Sequence, residues 1–158
     1  MELRVRRAAL KDIPRIQALL HQVEEVHRQG RPDLFLDNAV KYTDGQLEIL
    51  IADDTRPIFV AADERDEVAG YGFCMVTDYT GSNYMHPIKE LYIDDLCVDE
   101  AYRRQGVGQV IYDHIIAYAK EIGCYHLTLN VWACNPSAMR FYEKQGMQML
   151  KKEMEVVL

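Results

Sequence analysis

The segment Arg103–Gly108 constrains the fold of this chain more than any other part of the sequence. It follows an apolar run with β-strand character that ends at Val98, and it opens a run with helical periodicity that continues to Gly123. Two glycines, Gly106 and Gly108, let the backbone approach a ligand closely. Free amides and the helix dipole at such a helix start attract anions. The pattern therefore predicts a strand–loop–helix unit that binds a pyrophosphate, with Arg103 and Arg104 adding positive charge.

Two other phosphate-binding loops are excluded by the residues around Gly108. A Walker loop needs Lys-Ser or Lys-Thr after its second glycine, whereas Gln109-Val110 follows here. The dinucleotide fingerprint carries three glycines near the first strand of a βαβ unit, and this loop has two. The alternative to phosphate binding is an ordinary strand-to-helix turn whose glycines serve packing only. The placement between a strand and an amphipathic helix favours phosphate binding.

Apolar periodicity along the rest of the chain predicts one mixed α/β domain over residues 1–158. An amphipathic helix is expected after a cap at Asp12, and a shorter one after the capping-box sequence Thr43–Gln46. The other predicted elements are strands at 3–7, 57–62, 68–76, 90–98, 125–132 and 147–157, and helices at 108–123 and from Pro136 to Gly146. The expected order is strand, two helices, hairpin, strand, helix, strand, helix, strand.

Composition excludes several function classes. A net charge of −7 argues against a nucleic-acid partner and is compatible with a cationic substrate. The cysteines and histidines are too scattered for a metal site, so no metal is expected. No apolar run is long enough to cross a bilayer, and the N-terminus lacks the apolar stretch of a signal peptide. The expectation is a cytoplasmic protein without a membrane partner.

Almost the whole chain resembles the GNAT (acyl-CoA N-acyltransferase) family, most strongly from Leu91 to Met147. Its signature [Q/R]-x-x-G-x-[G/A] matches Arg103–Gly108 without a gap, and the later run Asn135–Gly146 (N-P-S-A-M-R-F-Y-E-K-Q-G) is similar to its second conserved block. Within the family, the pattern is similar to diamine-type and ribosomal-protein N-terminal acetyltransferases. The resemblance implies a mixed central sheet of about six to seven strands flanked by about four helices. It also implies acetyl-CoA as the acetyl donor.

The resemblance assigns acetyl-CoA contacts to three regions. The pantetheine arm is expected along Leu96, Cys97 and Val98, pairing with the backbone as an added strand does. The pyrophosphate is expected on the loop, at Arg103, Arg104, Gln105, Gly106, Val107, Gly108 and Gln109. Past the fifth strand, the resemblance implies contacts from Asn130, Asn135 and Ser137. For Asn135, a helix cap ahead of Pro136 is the other interpretation, and the two are compatible because a capping residue can also face the cofactor.

Acetyl transfer to an amine needs a proton acceptor and a proton donor, since an alkyl ammonium has a pKa of about 10 and a thiol one of about 8.5. The resemblance makes Tyr142 the donor to the departing sulfur; the alternative is a core aromatic. Asp94 is expected as the base or a substrate ligand, and Asp95 as a substrate ligand. Because neighbouring strand residues alternate, these two carboxylates are expected on opposite faces of the sheet. Pairing of one of them with a surface Arg or Lys is the alternative.

His27 and Arg31 are candidates for contact with the acceptor, because the segment around them is expected to roof its site. A plain loop stabilised by Pro32 is the alternative. The predicted acceptor is a small polyamine-like amine. A protein N-terminus or lysine side chain is the alternative, and a CoA-binding sensor without turnover is a third hypothesis. The resemblance also implies a homodimer, for which Met147–Leu150 and Met154 could supply an adaptable apolar surface; that these methionines belong to the core is the alternative.

Overall fold

The computed structural model describes the whole chain, residues 1–158. Its strands are β1 (Arg4–Arg7), β2 (Ile58–Ala62), β3 (Val68–Asp78), β4 (Lys89–Val98) and β5 (His126–Leu129), and its helices are α1 (Ile13–Gly30), α2 (Asp44–Ala52), α3 (Val107–Glu121) and α4 (Pro136–Lys144). Short 3-10 turns precede α1 and follow β4. None of the helices is both long and apolar enough to cross a bilayer. Up to Gly146, every predicted element is present in the predicted order.

The five strands form one mixed sheet in the order β1-β2-β3-β4-β5. The first four strands are antiparallel, and β5 joins β4 in parallel through the α3 crossover. The expected six to seven strands are therefore too many. The predicted strand at 147–157 is wrong, because this segment has no regular secondary structure and its backbone finds no neighbouring strand to pair with. Its apolar residues give it β-propensity, but it makes no backbone hydrogen bond to β5, whose outer edge is free.

The sheet is covered on both faces, and each face has its own hydrophobic core. α1 and α2 pack against one face around Tyr71 and Phe73, whereas α3 and α4 pack against the other around Leu91 and Ile93. Two residues of β3 lack side chains where α3 crosses it. A Cβ at Gly70 would lie 2.7 Å from the carbonyl oxygen of Cys97, and one at Gly72 would lie 2.7 Å from Cδ1 of Ile115. These glycines let α3 approach the sheet directly.

The two predicted helix caps turn out differently. Thr43 and Gln46 form the reciprocal capping box, with amide-to-side-chain distances of 3.2 and 2.9 Å. The predicted cap at Asp12 is wrong. Asp12 has helical backbone angles, so its carboxylate instead accepts from the amide of Ala9 at 2.8 Å and from Arg6 at 2.7 and 3.0 Å. Burial favours the neutral acid, but these hydrogen bonds outweigh it and hold the pKa of Asp12 below its usual value.

Candidate functional site

A cleft opens in the sheet where β4 and β5 separate. The two strands pair only from Glu90–Ile93 of β4 to His126–Leu129 of β5. Beyond Ile93, β4 continues to Val98 with no partner on this side, so its outward-facing backbone groups are free. Leu96 and Val98 face the α3 side, whereas Cys97 is buried on the α1 side, where its Sγ lies 3.6 Å from the carbonyl oxygen of Leu19. The cleft thus offers a free strand edge between two apolar surfaces.

A β-bulge at the cleft changes the direction of the two predicted carboxylates. Phe73 of β3 pairs with Asp95, but the next residue, Cys74, pairs with Ile93, so Asp94 is the extra residue of the bulge. Asp94 therefore lies on the same face as Asp95, towards α1 and α2. The prediction that they point to opposite faces is wrong, because strict alternation holds only in a regular strand.

Hydrogen bonds and charges on this face link both carboxylates to Lys41, in the segment between α1 and α2. The Lys41 ammonium lies 3.5 Å from Oδ2 of Asp94, and the Tyr71 hydroxyl donates to Oδ2 of Asp95 at 2.7 Å. Burial raises the pKa of Asp95, against the opposing effects of Lys41 and Tyr71. Burial would lower the pKa of Lys41, but the charges of Asp95 and Asp94 raise it on balance. The carboxylates thus hold a protonated amine in place.

Aromatic side chains lie beside Lys41 and, in a separate cluster, around His27. The Tyr42 ring stacks on Phe73 with centroids 5.8 Å apart, and the Lys41 ammonium lies 5.5 Å from the Tyr42 centroid. A second cluster joins the end of α1 to the segments before α2 and α4, with His27, Phe35 and Trp132 at centroid distances of 5.2 to 5.9 Å. A carboxylate next to aromatic faces is an environment that suits an organic cation.

Of the two predicted acceptor contacts, only His27 is brought near the carboxylates. The charge of His27 acts to lower the pKa of Asp95. The acceptor contact of Arg31 stays a prediction: its guanidinium is bound at 2.8 Å to Asp33 and at 2.6 Å to Glu155, and it forms no ion pair with Asp94 or Asp95. Arg31 follows the end of α1 and pairs with the two carboxylates beside it. One of them, Glu155, belongs to the C-terminal segment that was predicted as a strand.

Several residues around the two carboxylates and His27 were not predicted from the sequence, namely Lys41, Tyr42, Phe35, Tyr71 and Trp132. Lys41 and Tyr71 contact the carboxylates, and Tyr42 lies beside Lys41, whereas Phe35 and Trp132 contact His27. The apolar periodicity of the sequence does not indicate that these residues lie close together, because residues far apart in the chain meet only once the sheet has formed.

The loop before α3 has the conformation that its glycines predict. Gly106 caps the helix at a φ of 83°, and Arg104 also takes a positive φ, of 62°. The amides of Val107, Gly108 and Gln109 have no acceptor in the protein, since the first helical bond runs from Val110 to Gly106. These free amides at a helix start fit an anionic group such as a pyrophosphate.

Side chains of the loop play a smaller part than its backbone. The Gln105 amide binds the carbonyl of Ala101 at 3.1 Å, and the Gln109 amide binds Gln145 at 2.8 Å, so both are occupied within the protein. Arg104 forms no ion pair, and Arg103 lies 3.8 Å from Glu100. The two arginine side chains are exposed and available for a phosphate.

The residues predicted after β5 line the other side of the cleft. Asn135 caps α4, with its Oδ1 accepting from the amide of Ala138 at 3.2 Å, as one of its two interpretations has it. Ser137 is exposed in the first turn of α4. Asn130 does not point along this helix, because its side-chain amide donates to the Tyr92 hydroxyl at 3.2 Å.

Tyr142 of α4 is buried beside Tyr112 and Phe141, so it is part of the α3–α4 core. The Tyr142 hydroxyl has no hydrogen-bond partner in the protein. It is nevertheless accessible to solvent, because the only buried side-chain polar atom without a partner is Nε2 of His126. Burial, together with the charge of Asp95, raises the pKa of Tyr142. The hydroxyl is therefore a protonated, free donor electrostatically coupled to the carboxylate face.

Comparison with known proteins gives a consistent picture. The model of the acetyltransferase (GNAT) family matches residues 17–147. A tetramutant of the BH1408 protein from Bacillus halodurans has a similar structure, with a TM-score of 0.93 and 31% identity over 98% of this chain and 99% of that one.

Two curated relatives have assigned acceptors in their names. The peptidyl-lysine N-acetyltransferase YjaB of Salmonella typhimurium is 31% identical over 71% of this chain and 63% of its own length. The thialysine N-epsilon-acetyltransferase of Bos taurus is 32% identical over 51% of this chain and 45% of its own. The chain thus spans less than two thirds of the length of these relatives.

Proposed function

The chain belongs to the acetyltransferase (GNAT) family, and we propose on this premise that it transfers the acetyl group of acetyl-CoA to a primary amine by direct attack in a ternary complex. One observation carries the proposal. The cleft between β4 and β5 has free loop amides at one end, a free hydroxyl on one side and a carboxylate face that already holds an ammonium on the other.

Acetyl-CoA supplies the thioester that the amine attacks, and residues at three positions are assigned to hold it. The amides of Val107, Gly108 and Gln109 bind the pyrophosphate, and Arg103 and Arg104 add charge. The free backbone of Leu96–Val98 pairs with the pantetheine amides. Asn135 and Ser137 border the same arm from α4. Because Asn130 is turned towards Tyr92, its assignment shifts from the CoA side to the acceptor side of the cleft.

Proton transfer in this proposal uses both sides of the cleft. Asp94 and Asp95 bind the protonated amine, and Asp94, at the bulge and the more exposed of the two, accepts its proton directly or through water. Tyr142 donates a proton to the departing sulfur. Because burial raises the pKa of Tyr142, the phenol stays protonated at neutral pH and its proton is present for transfer.

The acceptor in this proposal is a small primary amine of the polyamine-like class. A site with two carboxylates and the Tyr42 ring selects for an alkyl ammonium. The substrate named for the Bos taurus relative also carries an amine at the end of an alkyl chain, which supports the same chemical class.

A peptide lysine is the second candidate, and the Salmonella typhimurium relative is the observation that favours it. A lysine side chain presents the same alkyl ammonium, so the carboxylate face serves either acceptor. A sensor that binds CoA without turnover has less support, because a protein that only binds CoA does not need a proton donor such as the Tyr142 hydroxyl. The cytoplasmic location stays a prediction.

The homodimer also stays a proposal, and the exposed C-terminal segment supports it. Residues 147–158 present six exposed apolar side chains, Met149, Leu150, Met154, Val156, Val157 and Leu158. β5 has no neighbour on its outer edge, so a strand from a second copy has a place to pair. Light scattering of the chain and of a Leu150→Lys variant tests this: a dimer weakened in the variant supports the proposal, and a monomeric wild type contradicts it.

Release of CoA thiol, measured with acetyl-CoA and a panel of acceptors, tests the proposed activity. The panel contains a short monoamine, a diamine, a lysine-like amino acid, an aminoglycoside and a lysine peptide. Turnover with a small amine at a kcat/KM above that for the peptide supports the proposal. Turnover with the peptide alone favours the second candidate. CoA binding without release of CoA thiol in the presence of any acceptor favours the sensor hypothesis.

A further inference from the structure

Lys41 occupies a position that is unusual for a surface lysine. Its ammonium lies 3.5 Å from Oδ2 of Asp94 and 5.5 Å from the centroid of Tyr42. Its side chain is 29% exposed, less than half the 62% exposure of Lys11, which pairs at the surface. A carboxylate and an aromatic face around an ammonium are the same groups that an alkyl amine would need for binding. Lys41 thus fills the acceptor side of the cleft with the chain's own cation.

We propose that Lys41 is an internal competitor: its ammonium occupies the subsite of the acceptor's ammonium, and a cationic acceptor binds by displacing it. The inference rests on the proposed acetyl transfer for its substrate class, but the occupied subsite itself is a feature of the fold. Lys41 is then a specificity-determining residue with an effect opposite to that of most pocket residues, since its removal strengthens acceptor binding.

The surroundings of Lys41 allow the exchange. Residues 31–43 form neither helix nor strand, so the side chain is carried by a segment that no ladder of backbone hydrogen bonds fixes. Lys41 forms one ion pair, and its distance of 3.5 Å is at the long end for such a contact. A partly exposed pair of this kind contributes little binding free energy, so an incoming ammonium replaces it at modest cost.

Exchange of one cation for another also predicts which amines benefit. An acceptor that is protonated in solution restores the charge balance at Asp94 when Lys41 leaves. An acceptor that is neutral at the assay pH leaves the carboxylates without a cation if it displaces Lys41. Lys41 therefore biases the enzyme towards acceptors that arrive as ammonium ions, and it suppresses weak or incidental ones.

The first experiment compares steady-state kinetics of three variants with a short alkyl diamine. Lys41→Met removes the charge and keeps the side-chain length, Lys41→Arg keeps the charge, and Lys120→Met changes the net charge equally on the opposite side of the sheet. We expect KM for the diamine to fall about two- to fivefold in Lys41→Met, the range that corresponds to a partly exposed ion pair. KM in Lys41→Arg should fall less than in Lys41→Met, because the competing charge is kept. Lys120→Met should keep the wild-type KM and kcat.

The second experiment follows Lys41 itself and needs no turnover. Butyldimethylamine carries a protonated nitrogen with one N–H but forms no stable amide, so it serves as the probe. Lysine labelling by acetic anhydride is quantified by mass spectrometry, with Lys120 as the internal reference. Displacement predicts that saturating probe raises the labelling rate of Lys41 by about twofold or more. Labelling that is unchanged or slower in the presence of the probe overturns the proposal.

The outcomes separate this inference from the proposed activity. A higher KM in Lys41→Met means that Lys41 helps to hold the acceptor, and an unchanged KM means that it lies outside the subsite; each result overturns the competitor role alone. A wild-type enzyme that releases no CoA with any amine overturns the proposed activity, while the labelling of Lys41 still reports whether a cation displaces it.

Discussion

Replacement of Gly70 by Ala tests how closely α3 and β4 must approach β3 for the cleft to form. The added Cβ would lie 2.7 Å from the carbonyl oxygen of Cys97, 3.0 Å from Cδ1 of Ile111 and 3.3 Å from Cγ1 of Val107. The first of these atoms belongs to the backbone of β4, so a side-chain rotation cannot relieve the contact. Overpacking of this kind costs about 3 kcal/mol of unfolding free energy, at the upper end of the usual range. For a chain of this length, the expected fall in Tm is about 6–12 °C.

Two other glycines give matched controls for this substitution. A Cβ at Gly72 also meets an atom at 2.7 Å, but that atom is the terminal methyl of Ile115, which can rotate away. We expect Gly72→Ala to cost only about 1 kcal/mol. Gly45 lies in α2 with nothing within 4 Å of its Cβ position, so Gly45→Ala should stabilise the protein by about 0.5 kcal/mol.

Thermal denaturation followed by circular dichroism ranks the three variants. From the highest Tm to the lowest, the expected order is Gly45→Ala, wild type, Gly72→Ala and Gly70→Ala. Cys97 lies on the proposed pantetheine strand and Val107 begins α3, so the folded fraction of Gly70→Ala should also bind CoA more weakly than wild type. The two variants differ chiefly in whether the obstructing atom belongs to the backbone. A Gly70→Ala variant as stable as Gly72→Ala would therefore show that the backbone contact with Cys97 does not set the cost.

Three further predictions concern a buried ion pair, a carboxylate and the loop. Asp12→Ala should cost about 3 kcal/mol in a urea titration, because it leaves the Arg6 guanidinium without its buried partner. Burial raises the pKa of Asp95 in the folded protein, so its charge lowers stability at pH values above that pKa. Asp95→Asn should therefore raise Tm at pH 7, and the gain should shrink as the pH falls through the folded pKa. The same variant should have a lower kcat/KM. Gly106→Ala forces a side chain into a φ of 83° and should cost about 1 kcal/mol, with weaker CoA binding by calorimetry; unchanged binding would contradict the role of the loop.

The parts of the fold that follow local rules are predictable from the sequence. The loop before α3 is recognisable because Gly106 and Gly108 stand between a strand pattern and a helix pattern. The capping box at Thr43 and the helix stop at Gly146 are local in the same sense. Each depends on residues within one turn of each other, so no knowledge of the tertiary structure is needed.

The face around the carboxylates depends on pairing between distant segments. The bulge at Asp94 arises from the register of β4 against β3, and the sequence of β4 alone does not contain it. Lys41 arrives from the segment after α1, so its role becomes visible only in three dimensions. The predicted final strand failed for a related reason: β-propensity in residues 147–157 is local, whereas the partner strand that it requires is not.

In the proposed mechanism, Tyr142 and the carboxylate face together catalyse acetyl transfer, and Tyr142→Phe is the decisive variant for it. The change removes one oxygen that has no partner in the protein, so the ring packing, the Tm and the dissociation constant for CoA should stay at wild-type values. We expect kcat for the best amine of the panel to fall about 100-fold or more, as for loss of a general acid. A variant that keeps the wild-type kcat and binds CoA normally would contradict the proton-donor role and the mechanism built on it.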